Sequence, residues 1–221
     1  MSSKRIERID ALTFYTNLNG LLYLYLNDNA LEHLDDPLTF GNLCSLIELN
    51  LKSNNLQRIH SSIFNRLTNL IKLNLAKNNL TRLDPLTFNC LTNLKELFLQ
   101  ENNLQELDES LFWSLKNLEK LNLSKNQFVD MNNASLFEKL DELVDLDLSQ
   151  NRLNHLNVDL FRPLGKLSHL NLSRNNLRVL HMNTFENLRK LRRVFLNENP
   201  ICFLYPNYVK QLVANENIIQ F

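Results

Sequence analysis

The sequence predicts an α/β solenoid, in which short parallel strands from successive repeats form one sheet. Three observations support this prediction. The chain of 221 residues contains 51 Leu and 35 Asn. An eleven-residue frame, L-x-x-L-x-L-x-x-N-x-L, occurs eight times, and a Phe recurs between successive frames at a similar period. With only 3 Gly and 5 Pro, collagen-like and flexible-linker compositions are excluded.

The frame accounts for the Leu excess through strand geometry. In its L-x-L segment the two Leu point to one face of a strand and the residue between them points to the other. Leu from eight coils then stack into a core that no single repeat could bury alone. Successive frames are 24 or 25 residues apart and begin at Leu21, Leu46, Leu70, Leu94, Leu118, Leu143, Leu167 and Leu191.

Two further columns have a predicted structural role. The ninth frame position is always Asn, and an Asn amide can bond backbone groups that are buried where the chain leaves the strand. We therefore expect an Asn ladder along the solenoid, and a stack of Phe rings inside the convex side. The Asn are Asn29, Asn54, Asn78, Asn102, Asn126, Asn151, Asn175 and Asn199; the Phe are Phe14, Phe40, Phe64, Phe88, Phe112, Phe137, Phe161 and Phe185.

These columns resemble the leucine-rich repeat family, in its typical 24-residue class, over roughly Ile6 to Ile201. The resemblance implies a right-handed, horseshoe-shaped solenoid with a concave parallel β-sheet and loose convex segments. It also implies three parts: a partial N-terminal repeat or cap over 1–20, eight leucine-rich repeats over 21–199, and a C-terminal cap over 200–221. Apolar spacing within Tyr208 to Ile219 predicts that the last part is a short helical cap.

Charge, hydropathy and cysteine spacing exclude several classes of protein and of covalent link. The formal net charge is +0, with 24 basic and 24 acidic residues, which argues against a dedicated nucleic-acid binder. No apolar run reaches the ~20 residues that a membrane span requires. Residues 1–5 are followed by no apolar stretch, so they do not resemble a secretory signal. Cys44 and Cys90 lie about two repeats apart, which is too far for a disulfide between them.

No residue pattern predicts catalysis, a metal site or a cofactor site. The sequence lacks a phosphate-binding loop, C-x-x-C spacing and H-E-x-x-H. Among five scattered His, only His169 lies at a frame position that should face outward from the sheet, and no nucleophile and base complete a catalytic set around it. We therefore expect that the protein is not an enzyme.

The frame leaves positions two, three and five free to project from the concave face. Position three alternates in sign from Glu48 to Asp145, which predicts cross-strand charge pairs. Position two begins with three apolar residues beside two Tyr and close to Phe98, and such a patch usually marks a protein contact. The predicted partner-binding residues are Leu22, Tyr23, Tyr25, Ile47, Asn50, Ile71, Asn74, Phe98, Arg192, Arg193 and Phe195.

These features predict a protein-recognition module that binds a protein ligand through its concave face. Two alternatives stay open: a structural or adhesion protein that forms a homodimer through its N-terminal end, and a binder of microbial glycan or lipid. The family resemblance implies an extracellular or cell-surface location of immune or adhesion type, and a cytoplasmic location stays open. If the chain is secreted, Asn79 and Asn133 are the better candidates for N-glycosylation, since the sequons at Asn122 and Asn171 lie on the strand face.

Overall fold

The computed structural model describes residues 5–15, 17–181, 183–202 and 218–220. Its main feature is a nine-stranded parallel sheet, to which each frame contributes one three-residue strand. The sheet order follows the chain as β1-β3-β5-β6-β7-β9-β11-β12-β13. These strands are β1 Tyr23–Tyr25, β3 Glu48–Asn50, β5 Lys72–Asn74, β6 Glu96–Phe98, β7 Lys120–Asn122, β9 Asp145–Asp147, β11 His169–Asn171, β12 Arg193–Phe195 and β13 Ile218–Gln220.

Two smaller parallel pairs lie after the frames. β2 His33–Leu34 pairs with β4 Arg58–Ile59, and β8 Asp130–Met131 pairs with β10 His155–Leu156. Because all of these pairings join a repeat to the next one, the hydrogen bonds between coils run along the length of the array. The predicted parallel-sheet solenoid of leucine-rich-repeat type is confirmed.

The core lies behind the main sheet. The central residue of each three-residue strand in the eight frames is buried, as shown by Leu49 and Leu97 with no exposed surface. Leu from the frame and from the convex segments form one continuous cluster with them. Since burying one such side chain contributes ~1.5–3 kcal/mol, stacking of the coils supplies the main stabilisation.

The Asn ladder is confirmed. In the second frame, the Asn54 side-chain nitrogen donates to the carbonyl of Leu51 in its own coil and to that of Leu26 in the preceding coil, at 3.0 and 2.9 Å. Its side-chain oxygen accepts a bond from the Leu31 N–H at 3.1 Å. The same donation to two sixth-position Leu recurs at Asn78, Asn102, Asn126, Asn151, Asn175 and Asn199.

The Phe stack is also present inside the convex side. Phe137 has no exposed surface, and its ring centroid lies 6.3 Å from that of Phe112 and 6.5 Å from that of Phe161. Phe14 continues the stack toward the N-terminus, at 6.0 Å from Phe40. The aromatic column therefore ties neighbouring coils together on the side opposite to the sheet.

One backbone feature of the frame is not visible in its residue types. The residue before each ladder Asn adopts a left-handed conformation, with φ between 54° and 58° in all eight frames, and none of these residues is Gly. Non-Gly residues adopt this conformation at a cost of about 1–2 kcal/mol. The turn into the ladder outweighs that cost in every coil. The residues are Asp28, Ser53, Lys77, Glu101, Lys125, Gln150, Arg174 and Glu198.

The ends of the array differ from its middle. At the front, Ile6 and Ile9 pack partly buried against the core, and the Ile6 backbone bonds both Asn29 and Ala30. At the back, most of the predicted helical segment falls outside the described residues. Its last part is not helical, because Ile218–Gln220 forms β13, which pairs in parallel with β12. The edge of the sheet offers unpaired backbone groups there, and pairing with them overrides the helical apolar spacing.

All three cysteines are free thiols in the structure. Cys44 and Cys202 are exposed.

Candidate functional site

The outer face of the main sheet, which is the concave face, is the surface that differs most between repeats. Its strands are in register, so frame positions two, three and five of neighbouring coils lie side by side. For example, Glu48, Lys72 and Glu96 are successive partners across β3, β5 and β6. Backbone hydrogen bonds hold these positions, and the exposed side chains are therefore set on a rigid support.

An apolar patch lies at the N-terminal end of this face. The Ile47 N–H donates to the Leu22 carbonyl at 2.7 Å, and the Ile71 N–H donates to the Ile47 carbonyl at 2.8 Å, so these three residues lie on neighbouring coils. Tyr23 and Tyr25 lie on the first strand next to them. All except half-buried Ile47 are exposed. We call Leu22, Tyr23, Tyr25, Ile47 and Ile71 the N-terminal patch.

The Tyr25 hydroxyl has a specific neighbour in the patch. It donates to the Glu48 carboxylate at 3.3 Å. Burial of the phenol, followed by the adjacent Glu48 charge, raises the pKa of Tyr25 above its ordinary value. Tyr25 is therefore a neutral hydrogen-bonding group at the edge of an apolar surface.

Phe98 lies apart from the two Tyr of the N-terminal patch. Phe98 is on β6, three strands from β1, which corresponds to about 14 Å. Instead, the ammonium groups of Lys72 and Lys120 each lie 5.8 Å from the centre of its ring. The ring is half-buried between two cations rather than part of an aromatic platform.

The predicted charge alternation forms real pairs in the middle of the face. Lys72 lies 3.5 Å from Glu48 and 3.6 Å from Glu96, and Lys120 lies 3.7 Å from Asp145. Position two adds a closer pair, in which the Lys95 ammonium donates to Glu119 at 2.7 Å; this bond raises the pKa of Lys95.

Position eight repeats the arrangement beside the sheet, where Lys77 and Lys125 both approach Glu101. The middle of the face is thus largely neutralised by its own side chains.

The Asn at position five bond the chain's own turns. The side-chain oxygen of Asn50 accepts from the Lys52 N–H, and that of Asn74 accepts from the Ala76 N–H, both at 3.0 Å. Such Asx bonds close the turns after β3 and β5. The interpretation of Asn50 and Asn74 as ligand-contacting residues therefore competes with a structural role that the structure shows directly.

The C-terminal end of the face is basic. Arg192 and Arg193 are exposed at positions two and three of the last frame, and Phe195 is half-buried at position five. Arg193 and Phe195 lie on β12, which Arg192 directly precedes, and β12 is seven strands from β1, so this group is separate from the N-terminal patch. The structure thus divides the predicted binding residues into two ends and an internally paired middle.

The sequons differ in accessibility. Asn79 and Thr81 are both exposed, whereas Ser124 and Ser173 of the strand-face sequons are buried and their hydroxyls donate to Asn122 and Asn171 at 2.7 Å. Asn133 is exposed, but its side-chain nitrogen donates to Glu109 at 2.8 Å. The side-chain nitrogen is the atom that a glycan would modify, so Asn79 is the more open of the two candidates.

Two structural columns on the convex side were missed by the sequence reasoning. Asn69, Asn93 and Asn117 each donate to a backbone carbonyl of the preceding coil at 2.8–2.9 Å, forming a second ladder. This column was visible in the sequence as the Asn directly before three frames.

In the other column, an Asp, Asn or His caps the start of each convex turn. At Asp108 the Ser110 hydroxyl and N–H both donate to the carboxylate, and these bonds lower its pKa.

The described residues hold no group of three His, Cys, Asp or Glu that could bind a metal ion. Within the same residues, no helix is both long and apolar enough to cross a lipid bilayer. A depression of about 540 Å³ lies beside the first two coils and is open to solvent. Acidic residues dominate its lining, which includes Glu7, Asp10, Glu32 and Asp36.

Comparison with known proteins now identifies the family. The model of the leucine rich repeat matches residues 44–104, 68–128, 92–143 and 141–201, which together span more than half of the chain. The chain belongs to the leucine-rich repeat family. No curated protein matches it in sequence.

Solved structures share the fold. A TLR13 chain, in a crystal structure of its complex with the single-stranded RNA ssRNA13, has a TM-score of 0.86 and 29% identity over 95% of this chain. A leucine-rich-repeat protein of Leptospira interrogans has a TM-score of 0.66 and 29% identity over 92% of this chain. FLRT2, in a complex with Latrophilin 3 and Unc5D, has a TM-score of 0.73 at 21% identity over 91%. This chain spans 30%, 55% and 70% of those three chains, respectively.

Proposed function

We propose that this leucine-rich-repeat chain is a non-enzymatic recognition module that binds a protein ligand through its concave face, in an extracellular or cell-surface setting of immune or adhesion type. The observation that carries this proposal is the N-terminal patch. Contiguous apolar surface on a rigid sheet is a common mark of a protein contact, because its removal from water favours association. Repeat solenoids use such faces for binding.

Three of the similar structures are complexes with another molecule. The FLRT2 chain is part of a protein complex, and the same holds for Toll with Spatzle of Drosophila, which has a TM-score of 0.59 at 20% identity. At these identities they show the fold alone. The TLR13 chain is in a complex with RNA. In this chain, however, acidic side chains pair with the cations of the central sheet, and a phosphate backbone laid across it would meet both signs of charge.

The proposal is tested by disrupting the patch without disturbing the core. The variant is Leu22→Ser with Tyr23→Ala, and the matched control is Leu38→Ser with Tyr15→Ala. The patch residues are 43% and 52% exposed, and the control residues, which lie at the convex side, are 66% and 65% exposed. Both variants should melt within a few degrees of the wild type, because exposed substitutions change stability by about 0.5 kcal/mol or less.

The measurement is affinity capture from native extract with all three proteins, followed by titration of any captured protein in purified form. The proposal expects a partner whose affinity falls at least tenfold, equal to ~1.4 kcal/mol, with the patch variant and stays unchanged with the control. A partner that binds both variants equally well contradicts a role for the patch.

A second candidate is self-association through the same N-terminal end, which the exposed patch equally favours. Light scattering over a range of concentrations separates it from the first. A mass that rises with concentration for the wild type, and stays monomeric for the Leu22→Ser, Tyr23→Ala variant, supports a homodimer. A monomer at every concentration removes this candidate. A glycan or lipid platform is less favoured, because Phe98 lies far from Tyr23 and Tyr25.

A further inference from the structure

Four basic residues lie within or directly before the last frame, at the C-terminal end of the solenoid. Arg189 and Lys190 lie directly before the last frame, and Arg192 and Arg193 occupy its second and third positions. All four are exposed. Among the described residues, none of them lies within 4.0 Å of a carboxylate. We call these four residues the basic cluster.

Three acidic residues of the preceding coils, Glu142, Asp145 and Asp147, are engaged elsewhere. Lys166, at the edge of the preceding coil, forms an ion pair with Glu142 at 2.6 Å. Lys120 pairs with Asp145, and Asp147 accepts the backbone N–H of Ser149 at 2.9 Å. Within the part of the chain that the structure describes, no ion pair cancels the positive charge of the basic cluster, in contrast to the middle of the same sheet. A surface with such a potential attracts an anionic ligand and raises the rate of its association.

Backbone hydrogen bonds hold the two Arg of the last frame in place. The N–H groups of Arg192 and Arg193 donate to the Ser168 carbonyl at 2.9 and 3.0 Å, which fixes both Arg on the strand. In the sheet, Arg193 lies directly opposite His169. The two guanidinium groups thus project from a rigid strand, and a guanidinium can hold a carboxylate with two parallel hydrogen bonds.

The size of the cluster favours a short anion. Its four cations fall within five consecutive residues. Two strands inward from Arg193, at about 10 Å, β9 presents Asp145 and Asp147. An extended polyphosphate or sulfated polysaccharide that followed the sheet would reach Asp147, which forms no ion pair among the described residues, and be repelled. A peptide with two to four acidic side chains can bind the cluster and end before Asp147.

We propose that the basic cluster docks a short acidic segment, rich in Asp or Glu, of the protein partner. This inference rests on the proposed function, in that it takes the ligand to be a protein. It adds a second contact of different chemistry from the N-terminal patch. The two contacts lie seven strands apart, so they select a partner that presents an apolar surface at one end and an acidic segment at the other.

The test uses the full chain and a fluorescently labelled peptide of six glutamates as the probe, with binding followed by anisotropy. The variant is Arg192→Glu with Arg193→Glu. The matched control is Arg66→Glu with Arg82→Glu, which changes the net charge equally at two exposed Arg outside the cluster. We expect the variant to bind at least tenfold more weakly and the control to stay within about twofold, since close charge contacts act locally.

Further binding measurements distinguish an acidic peptide from other anionic ligands, and a local charge contact from an effect of net charge. Binding to hexaglutamate should weaken on going from about 0.02 M to about 0.15 M salt, as the Debye length shortens. If a single-stranded oligonucleotide or a heparin-type oligosaccharide of equal charge binds more tightly than the peptide, and the cluster variant abolishes that binding, the acidic-peptide assignment is overturned. Equal losses in the cluster variant and the control also overturn it, because only net charge would then matter.

Two further variants test the basic cluster independently of a folding defect and of the N-terminal patch. Should the double charge reversal melt well below the wild type, Arg189→Gln with Lys190→Gln removes charge outside the strand and should weaken peptide binding about threefold or more. The Leu22→Ser, Tyr23→Ala variant should bind hexaglutamate as the wild type does. Failure of the basic cluster and failure of the N-terminal patch are therefore observed in separate measurements.

Discussion

The two faces of the main sheet are built from the same strands but follow different rules. Facing inward, the central strand residue is Leu in seven frames and Val194 in the eighth, and all eight are buried. Facing outward, position three alone includes Tyr, Glu, Lys, Asp, His and Arg. An inward residue must fit the same cavity between two identical coils, whereas an outward residue needs only to be compatible with its neighbour. Repetition therefore indicates stability, and variation indicates binding.

The outward face shows a second contrast between its middle and its ends. In the middle, charges such as Lys72 are flanked by acidic residues on both neighbouring strands. At the two ends, the N-terminal patch and the basic cluster leave apolar surface and positive charge without such partners. The ends are where an external partner gains most, because it does not first have to separate an internal ion pair.

The largest expected effect tests the inward side. Phe137→Ala should destabilise the protein by about 3–5 kcal/mol, because a buried ring is removed from contact with the rings of Phe112 and Phe161 and a cavity remains. Trp113→Ala is the control on the convex surface, where the ring is exposed, and should cost about 1 kcal/mol or less. Urea unfolding followed by circular dichroism measures both. If both variants lost the same free energy of unfolding, inward and outward aromatic residues would not differ in their contribution to stability.

The second prediction compares two adjacent Asn. Asn54→Leu should cost about 1–3 kcal/mol, since it leaves the Leu31 N–H without its side-chain acceptor in the interior and removes one of the two amide donors to each of the Leu26 and Leu51 carbonyls. Asn55→Leu changes the next residue in the same way, but Asn55 is exposed. It should stay within about 0.5 kcal/mol of the wild type. Thermal melts of the two variants measure the difference, and similar melting temperatures would refute the ladder as a stabilising element.

The inward side could be predicted from the sequence and much of the outward side could not. The Leu, Asn and Phe columns follow from period alone, because each coil buries the same positions. The approach of the Lys72 and Lys120 cations to the Phe98 ring was missed, since the frame gives a residue's place in the sheet but not the conformation of its side chain. The bonds of Asn50 and Asn74 were missed because the partner is the local backbone. At Ile218–Gln220 the sheet edge, which no local pattern encodes, replaced the expected helix with a strand.

The smallest expected effect tests whether the ion pairs in the middle of the outward face stabilise the folded protein. Lys72→Glu would place three carboxylates side by side on β3, β5 and β6, where Lys72 now lies 3.5 and 3.6 Å from Glu48 and Glu96. Like charges directly opposite each other cost roughly 0.2–1 kcal/mol per pair, so we expect a loss of about 1 kcal/mol at low salt. The change should shrink in ~1 M salt, where the Debye length is about 3 Å.

Lys116→Glu supplies the comparison, since Lys116 is exposed and, among the described residues, forms no ion pair. It makes the same change in net charge and should alter stability by about 0.5 kcal/mol or less. If both variants lose the same stability and respond equally to salt, the alternating column has no structural role. Its charges would then be available to a partner, and the middle of the face would join the two ends as a candidate binding surface.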